Sequence, residues 1–391
     1  MKVGILVPSV YMYKGAFRKR VSAPMELSLV LSDGLVNSGV ETYYFSAPDI
    51  PTKAKVISPE DTSLLENNFL IDYQQDMNPE AYQAVSFYET KKYFELEVTK
   101  QAYEFARNKK VDILHVYHAY GNLAHYFTEL LNIPTVYTLH VFPPPIDTLD
   151  HWRYKRFQNQ NFIAISNSQK RGFHATIPDM NIVDTIYHGV DSDKFSFNGK
   201  TDDYFVIVGR LIPQKGIEIA IQIAAQTKTN LKVVTHITPV TEKSEYYQKK
   251  VFPFLDNQHI QVFSLPDDAK KINIVQHAKG FIFPSQWNEP FGMVLIEAMS
   301  CGTPVVAYNR GSVPEILRDG VTGFIVDPDN EDHPGKGKWI IKKQGMEGLI
   351  EAMKRIGEID RKACRKHVEE NFTVGKMVEN YEKLYRKVLH R

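Results

Sequence analysis

Two glutamates stand eight positions apart in an otherwise largely apolar stretch of the sequence, NEPFGMVLIEAMSCGTPVVA, which spans residues 288–307. Glu289 is the second residue of this stretch and Glu297 lies inside it. Burial of an unpaired carboxylate is costly, so apolar packing alone does not explain Glu297. A carboxylate accepts two hydroxyl hydrogen bonds at once, which suits the vicinal diols of a sugar or a ribose. The pair therefore predicts contacts with a ligand that is rich in hydroxyl groups.

Glu289 is expected just before a helix, at the carboxyl end of a strand, and Glu297 two turns further along that helix. Pro290 suits the first helical position, and the helix should run to about Ser300. Eight residues at about 100° each return Glu297 to within about 80° of Glu289, so both can address one ligand from adjacent points. The alternatives are an ordinary acidic residue at a helix start for Glu289 and a salt bridge to a nearby cation for Glu297.

A second turn places two cations between a strand and a helix, in VIVGRLIPQKGIEIAIQIA. Arg210 and Lys215 follow Gly209, and the apolar residues after Gly216 keep helical spacing. Helix N–H groups, the helix dipole and two cations would converge there on an anion. Arginine can bind phosphate oxygens bidentately, and lysine acts as a point charge. The alternative is that both side chains are solvated loop cations.

Backbone amides add to the same predicted anion site. The N–H groups of Phe291 and Gly292 face the turn before the helix and could receive a phosphate. In the next turn, Gly311 and Ser312 allow a close approach of the backbone, and Glu315 is a further candidate polar contact. A plain glycine turn is the alternative for that third segment.

Composition limits the class of protein. The chain has 391 residues, of which 43% are hydrophobic and 24% charged, with a net charge of +1. These values indicate a soluble globular protein of two or three domains and give no case for nucleic-acid binding. Two distant cysteines, Cys301 and Cys364, cannot form a disulfide framework, which fits a reducing compartment. The sequence shows no signal peptide and no run of 18 apolar residues, so we expect no membrane span and a cytoplasmic location.

Strands and helices alternate along the chain in two series. This pattern predicts parallel sheets covered on both faces, in two doubly wound α/β domains at 1–190 and 191–374. The polar stretch 191–203 is the candidate linker, and a final helix at about 375–391 is expected to pack back on the first domain. The segment 52–84 fits no element. Strands are predicted at 2–7, 41–46, 111–116, 134–140, 161–166, 204–209, 231–236, 260–264, 280–284, 303–308 and 323–327, and helices at 25–39 and 89–109.

Ligands of open parallel sheets bind beyond the carboxyl ends of the strands, so the residues in those turns determine which ligand can bind. The first such turn, PSVYMYKGAFRKR, holds one glycine and no GxGxxG, which argues against a nicotinamide-dependent dehydrogenase. The turn is basic and is interpreted as a solvated loop, with an anionic acceptor or peripheral contact at the inner membrane face as the alternative. Its cations are Lys14, Arg18, Lys19 and Arg20.

Together the motifs resemble a known family. GRLIPQKG, PSQWNEPFGMVLIEAMSCGTPVVA and GSVPEILRDGVTGFIV, in this order and spacing, resemble the retaining glycosyltransferases of family 4, the glycosyl transferases group 1. Glu289 through Glu297 match the E-x7-E motif of that family, and YHGVDSDKF resembles its interdomain NGVD segment. In the N-terminal half, YTLH and AISNSQ are similar to the family. The resemblance implies the GT-B fold, in which two Rossmann-like domains face each other across a cleft and close on the donor.

The resemblance also implies roles for individual residues. Arg210 and Lys215 would bind the nucleoside diphosphate and neutralise the leaving group. Glu297 would bind the ribose hydroxyls, Glu289 would bind those of the transferred sugar, and His140 would lie near the reacting sugar. The residues implied in catalysis are His140, Glu289, Arg210 and Lys215, and those implied in donor binding are Gly15, Gly209, Arg210, Lys215, Glu289, Pro290, Phe291, Gly292, Met293 and Glu297.

Other interpretations of these residues stay open. His140 could instead be a hydrogen-bonded histidine at a strand end, and His118 is a weaker candidate. Gly15 stands where the family often has two adjacent glycines, which leaves the role of its loop open. The string DSD at 191–193 matches the Asp-x-Asp clamp of metal-dependent glycosyltransferases, but it lies in the interdomain segment, and the two cations take the place of a metal ion. We therefore expect no metal site and no cofactor.

The implied reaction moves a sugar from a nucleotide sugar to a hydroxyl group of an acceptor. A UDP-sugar is the preferred donor, and a GDP-sugar is the alternative. The sequence does not identify that acceptor, which could be a saccharide, a lipid-linked molecule or a small molecule. Retention implies attack on the same face of the sugar from which the diphosphate departs. The alternatives are a GT-B nucleotide-sugar epimerase and a non-catalytic GT-B subunit that binds a partner.

Overall fold

The chain divides into two compact units. Unit 1 comprises Met1–Ile186 and Val374–Arg391, and unit 2 comprises Tyr187–Thr373. The computed structural model describes residues 1–9, 12, 23–59, 81–117, 122–256, 258–264, 267–329 and 331–390. Within these residues, no helix combines the length and the apolar character needed to cross a bilayer.

Unit 1 is built on a parallel sheet. Across its described residues, seven strands pair in the order β3-β2-β1-β4-β5-β6-β7. The strands are β1 Lys2–Leu6, β2 Glu41–Phe45, β3 Lys55–Ile57, β4 Ile113–Tyr117, β5 Thr135–Thr138, β6 Asn161–Ala164 and β7 Ile182–Thr185, and the helices up to this point are α1 Ala23–Asn37, α2 Ala81–Arg107, α3 Ala124–Leu131, α4 Leu149–Arg156 and α5 Asn167–Thr176.

Unit 2 repeats this plan with its own sheet. Its described strands pair in parallel in the order β10-β9-β8-β11-β12-β13. The strands are β8 Phe205–Val208, β9 Leu231–Thr235, β10 Ile260–Ser264, β11 Gly280–Phe283, β12 Val305–Tyr308 and β13 Gly323–Val326. The helices are α6 Ile217–Thr227, α7 Pro239–Lys243, α8 Asp268–Gln276, α9 Met293–Ser300, α10 Val313–Ile316, α11 Gly345–Arg355 and α12 Arg361–Asn371, with 3₁₀ turns at Pro213–Lys215, Phe252–Phe254 and Ile356–Glu358 and a π-helical turn at Tyr247–Val251.

The chain returns to unit 1 for its last helix, α13 Val374–Leu389. This helix packs on α1 at Gly34, where an added Cβ would lie 2.5 Å from a methyl group of Val378. Tyr381 and Tyr385 are fully buried. The helix therefore supplies part of the core of unit 1.

The strands form where apolar runs can be buried on both faces, as parallel sheets require. All residues of β4 and β12 are buried. Each strand predicted from the sequence is confirmed, with ends that differ by two residues at most. The segment 52–84, for which no element was predicted, contains β3, and its residues 60–80 lie outside the described part of the chain.

Both sheets have a point at which the strand order reverses. In unit 2 this point lies between β8 and β11, which pair directly with each other. Ligands of doubly wound sheets bind in the crevice at the carboxyl ends of the strands, at this switch point. The turns after β8 and β11 are therefore where a ligand of unit 2 is expected, and they are the turns that carry Arg210, Lys215 and Glu289.

Candidate active site

The turn after β8 is held against the end of β11 by a glycine. Gly216 has φ +65° and separates the 3₁₀ turn Pro213–Lys215 from α6. An added Cβ at Gly216 would lie 2.1 Å from the carbonyl oxygen of Pro284, so only glycine permits this approach. The Gln286 N–H group also donates to the Gln214 carbonyl oxygen at 2.8 Å. The two turns at the switch point are thus fixed to each other by their backbones.

Lys215 and Glu289 form an ion pair across these two turns. The Lys215 Nζ atom lies 2.7 Å from Glu289 Oε2. The Lys215 and Glu289 side chains are 16% and 13% exposed, so the pair is shielded but open to solvent on one side. The indole Nε1–H of Trp287 donates to the same Oε2 atom at 2.8 Å, and its ring centroid lies 5.1 Å from Lys215 Nζ.

Arg210 is the second cation of the site, and its side chain is exposed. Among the residues that the structure describes, no carboxylate lies within salt-bridge distance of its guanidinium group. Gly209 lies under the Lys215 side chain, because an added Cβ there would be 3.6–3.9 Å from three Lys215 carbon atoms. The prediction that both cations lie in the strand-to-helix turn is confirmed, and a guanidinium without a carboxylate partner can bind an anion there.

The turn after β12 fixes the backbone of Glu289. Gly311 has φ +56°, and an added Cβ there would lie 2.4 Å from both the nitrogen and the carbonyl oxygen of Glu289. The Ser312 N–H group donates to the Glu289 carbonyl oxygen at 3.1 Å. The Gly311 N–H group donates to the Asn288 side-chain oxygen at 3.1 Å. Gly311 and Ser312 make a close backbone approach to the protein's own glutamate turn, and contact of this turn with a ligand stays a prediction.

The helix that carries Glu297 begins later than predicted. Helix α9 starts at Met293, so the prediction that Pro290 is the first helical residue is wrong. The reason is Gly292, whose φ of +88° is incompatible with a helix and makes it the N-cap. Phe291, which precedes it, is buried. Because Glu289 lies outside the helix, the helical rotation that related it to Glu297 does not apply.

Glu297 is the fifth residue of α9 and has a cationic neighbour. Its Oε2 atom lies 3.6 Å from Lys271 Nζ, and its side chain is 18% exposed. The salt bridge considered from the sequence as an alternative for Glu297 is therefore present. A separation of 3.6 Å is longer than a hydrogen bond, so both oxygens keep lone pairs for another donor.

The histidine predicted for the first domain lies in unit 1. His140 follows β5, is partly buried, and its ring stacks on Tyr117 with centroids 4.8 Å apart. Tyr117 in turn stacks on His115 at 5.0 Å. Gly15 and His118, which the sequence also proposed, lie outside the described residues.

His115 belongs to a buried polar group beneath His140. Its two ring nitrogens are hydrogen-bonded to Tyr385 Oη and to Thr138 Oγ1, each at 2.7 Å. Burial lowers the pKa of His115 to about 3, so the ring is neutral in the folded protein. The C-terminal helix thereby contacts the strand that leads to His140.

The DSD string at 191–193 makes a turn. The Asp191 carboxylate accepts hydrogen bonds from the backbone N–H groups of Asp193 and Lys194, at 3.0 and 3.1 Å. This is the usual local use of an aspartate in a turn. Across the described residues, no group of three or more His, Cys, Asp or Glu side chains is arranged to hold a metal ion.

Sequence reasoning did not identify three residues that complete this region: Trp287, Asn288 and Lys271. Trp287 and Asn288 lie within the quoted turn QWNE, so their position next to Glu289 was a signal for both. Lys271 comes 26 residues before Glu297 in the chain, on α8, and no local pattern connects the two.

The arrangement in unit 2 can bind a particular kind of ligand. Two cations and the start of a helix suit phosphate groups, and two partly exposed carboxylates suit hydroxyl groups. A doubly wound sheet with these groups at its switch point could bind a phosphorylated, hydroxyl-rich molecule.

Comparison with known families agrees with this class. The family model described as "Glycosyl transferases group 1" matches residues 191–337, and the model described as "Glycosyltransferase Family 4" matches residues 30–194. Together the two matches extend from residue 30 to residue 337. The chain belongs to the family 4, or group 1, glycosyltransferases.

Individual relatives are distant in sequence and similar in fold. An uncharacterized glycosyltransferase of Methanocaldococcus jannaschii is 24% identical over 299 residues, which cover 73% of this chain and 80% of that protein. Sucrose-phosphate synthase from Thermosynechococcus elongatus has a TM-score of 0.69 at 18% identity, over 100% of this chain and 99% of that one. Anabaena HepE in complex with UDP-glucose has a TM-score of 0.66 at 16% identity, over 99% and 100% of the two chains. The two solved structures show that the fold is GT-B.

Proposed function

We propose that this glycosyltransferase moves a sugar from a nucleoside diphosphate sugar to an acceptor hydroxyl group, with retention at the anomeric carbon and without a metal ion. The observation that carries the proposal is the Lys215–Glu289 ion pair at the switch point of unit 2, beside the exposed Arg210. A cation that could bind a phosphate lies 2.7 Å from a carboxylate that could bind a sugar hydroxyl, which supports a ligand in which a sugar is bonded to a diphosphate.

The leaving group decides the roles of the cations. When the bond from the anomeric carbon to the phosphate oxygen breaks, the electron pair leaves with the diphosphate and the sugar carbon becomes cationic. Arg210 and Lys215 are the groups that we assign to the charge developing on the diphosphate. The N–H groups at the start of α9, next to Gly292, would add further donors. Such preorganised donors are each worth about 10²–10³ in rate.

The acceptor hydroxyl forms the new bond on the face from which the diphosphate leaves, and its proton passes to a phosphate oxygen of the departing diphosphate. This step needs no second carboxylate as nucleophile, unlike the hydrolysis of glycosides. Glu289 would bind hydroxyl groups of the transferred sugar, and Glu297 those of the ribose. His140 is the candidate from unit 1.

A UDP-sugar is the donor that we propose. Anabaena HepE, which shares the fold, has been crystallised with UDP-glucose, and this supports the choice of nucleotide. The described site offers cations where other glycosyltransferases use a metal clamp, which supports reaction without metal. Both cysteines are buried thiols, which fits a reducing compartment.

A thermal-shift panel tests the proposal directly. The probes are UDP, GDP, ADP, UDP-glucose, UDP-galactose, UDP-N-acetylglucosamine, GDP-mannose and ADP-glucose, each with and without EDTA. A probe at 100 times its dissociation constant should add about 2.7 kcal/mol to the free energy of unfolding. We expect a uridine nucleotide to do so equally with EDTA, and the Arg210→Ala/Lys215→Ala double variant to lose the shift.

Two results would contradict the proposal. The first is the absence of a shift with every nucleotide, which would remove the donor class. The second is a shift, or a release of nucleoside diphosphate from the donor, that appears only with added Mg²⁺ or Mn²⁺.

A further inference from the structure

The carboxylate of Glu289 is held through one of its two oxygens. Oε2 accepts hydrogen bonds from Lys215 Nζ at 2.7 Å and from Trp287 Nε1 at 2.8 Å. Within the described residues, Oε1 has no hydrogen-bond donor. A carboxylate fixed at one oxygen presents the other in a defined direction, with its lone pairs available to hydroxyl groups.

Trp287 is not explained by packing in the core. Trp287 is 36% exposed, whereas every residue of the preceding strand β11 is buried. What the indole does contact is the ion pair, because its N–H group donates to Glu289 and its ring lies 5.1 Å from the ammonium group of Lys215. One residue thus contacts both members of the pair, through a hydrogen bond and a cation–π contact.

The backbone of the turn keeps this indole in place. The Ser285 hydroxyl group donates to the Trp287 carbonyl oxygen at 3.1 Å, and Ser285 is 1% exposed. The same hydroxyl lies 3.4 Å from the Gln214 carbonyl oxygen in the turn that carries Lys215. The backbone at Trp287 and the backbone next to Lys215 are therefore linked through one buried hydroxyl group.

We propose that Trp287 is a positioning residue that orients Glu289 for recognition of the transferred sugar. This inference rests on the proposed function. A diphosphate competes with Glu289 for the ammonium group of Lys215, because both are anions. When the lysine turns to the diphosphate, the indole N–H group remains to fix Oε2, and Oε1 keeps its direction toward the sugar. Trp287 therefore affects recognition of the transferred sugar and has little effect on the affinity for the nucleotide.

The test uses Trp287→Phe, which keeps an aromatic ring over Lys215 and removes the N–H donor. The rate of nucleoside diphosphate release is measured with the nucleotide sugar selected by the panel above, and the affinity for the free nucleoside diphosphate by calorimetry. Loss of a hydrogen bond to a charged group predicts a fall in kcat of about tenfold to a hundredfold. The dissociation constant of the free nucleoside diphosphate should stay within about threefold. Trp152→Phe, at a tryptophan that is 52% exposed in unit 1, is the matched control.

A second comparison separates positioning from a general structural effect. In a Glu289→Ala background, Trp287→Phe should change the rate by less than about threefold, because the group that it orients is gone. An equal fall of kcat in both backgrounds, or a wild-type kcat in the single variant, would overturn the inference. A wild-type protein that binds no nucleotide would instead overturn the proposed function. If Trp287→Phe lowers the melting temperature, Trp287→Leu, which also has no side-chain hydrogen-bond donor, serves for the same comparison.

Discussion

Replacement of Lys215 by methionine removes one charge from the centre of the candidate site and keeps a side chain of similar length. The ammonium group lies 2.7 Å from Glu289 Oε2, and its side chain is 16% exposed. In Lys215→Met the diphosphate loses one cation, and the carboxylate that stays behind keeps only the Trp287 N–H group among its described partners. We expect both donor affinity and the rate of sugar transfer to fall.

The magnitude follows from the charge that develops as the sugar leaves. Two unit charges 4 Å apart interact by about 4 kcal/mol at an effective dielectric constant of about 20. Removal of one well-placed donor to a developing anion costs about 10²–10³ in rate, or about 2.7–4 kcal/mol, which is the same size. Stability should change less, since the loss of one hydrogen bond to a charged group costs about 1.5–3 kcal/mol.

The assay measures release of nucleoside diphosphate from the selected donor, at a temperature well below the melting temperature of each variant. Lys249→Met is the matched control, because Lys249 lies in the same unit and its exposed ammonium group pairs with Glu245 at 2.6 Å. Exposed pairs of this kind are worth about 1 kcal/mol or less, so this variant should keep wild-type activity.

One outcome would refute the reasoning. If Lys215→Met is well folded and keeps more than about a tenth of the wild-type rate, the loss is far below the factor worked out above. The negative charge of the leaving group would then be stabilised by other groups, and the assignment of Lys215 would be wrong.

Three further outcomes follow from the structure. Glu297→Gln should weaken binding of the nucleoside diphosphate about tenfold, as measured by calorimetry. If the affinity is unchanged and only the melting temperature falls, Glu297 serves stability through its ion pair with Lys271 and does not bind the nucleotide. Gly311→Ala should lower the free energy of unfolding, measured in urea, by about 2–4 kcal/mol, because the added Cβ would meet the backbone of Glu289 at a residue with a positive φ. Gly199→Ala, whose added Cβ has no contact nearer than 3.7 Å, should lower it by less than about 1 kcal/mol. Equal losses in the two variants would contradict this prediction. The pKa of His115 is about 3 when folded and about 6.5 when unfolded, so the unfolded chain binds one more proton at this residue between these pH values. His115 alone should therefore lower the free energy of unfolding by about 1.4 kcal/mol per pH unit as the pH drops below 6.5. His115→Gln should show a shallower slope in urea unfolding at pH 7.5, 6 and 5, and an unchanged slope would exclude His115 as its source.

Local sequence patterns were sufficient to predict the strands and to identify the charged residues and glycines in the turns that follow them. Runs such as GFIFP and TPVVAY are apolar because parallel strands are covered on both faces, so their positions could be read directly. The cations at Arg210 and Lys215 and the glycine at Gly311 were recognisable because turn chemistry is local. Backbone conformation was harder to predict from the sequence. Pro290 suggested a helix that begins at residue 290, but the positive φ of Gly292 moves the start of α9 to Met293.

Contacts between distant segments could not be predicted. Lys271 reaches Glu297 from another helix, and the Lys215–Glu289 pair joins turns 74 residues apart. Such pairs depend on sheet order, which places β8 beside β11 although β9 and β10 separate them in the chain. The sequence therefore indicated which residues are candidates for binding a ligand, and the strand order determines which of these candidates lie close together.

The C-terminal helix has a consequence for how the protein is made. Unit 1 is discontinuous, because residues 187–373 are synthesised before its last piece, Val374–Arg391, leaves the ribosome. Tyr385 and Tyr381, which bond to His115 and Thr138, belong to that piece. Domains generally fold as units during synthesis, so unit 2 can form its complete core before the tyrosines of α13 are available to the core of unit 1. A nascent chain that stops before α13 would leave the Nδ1 atom of His115, in the core of unit 1, without its Tyr385 partner, a defect of the kind that chaperones and proteases recognise.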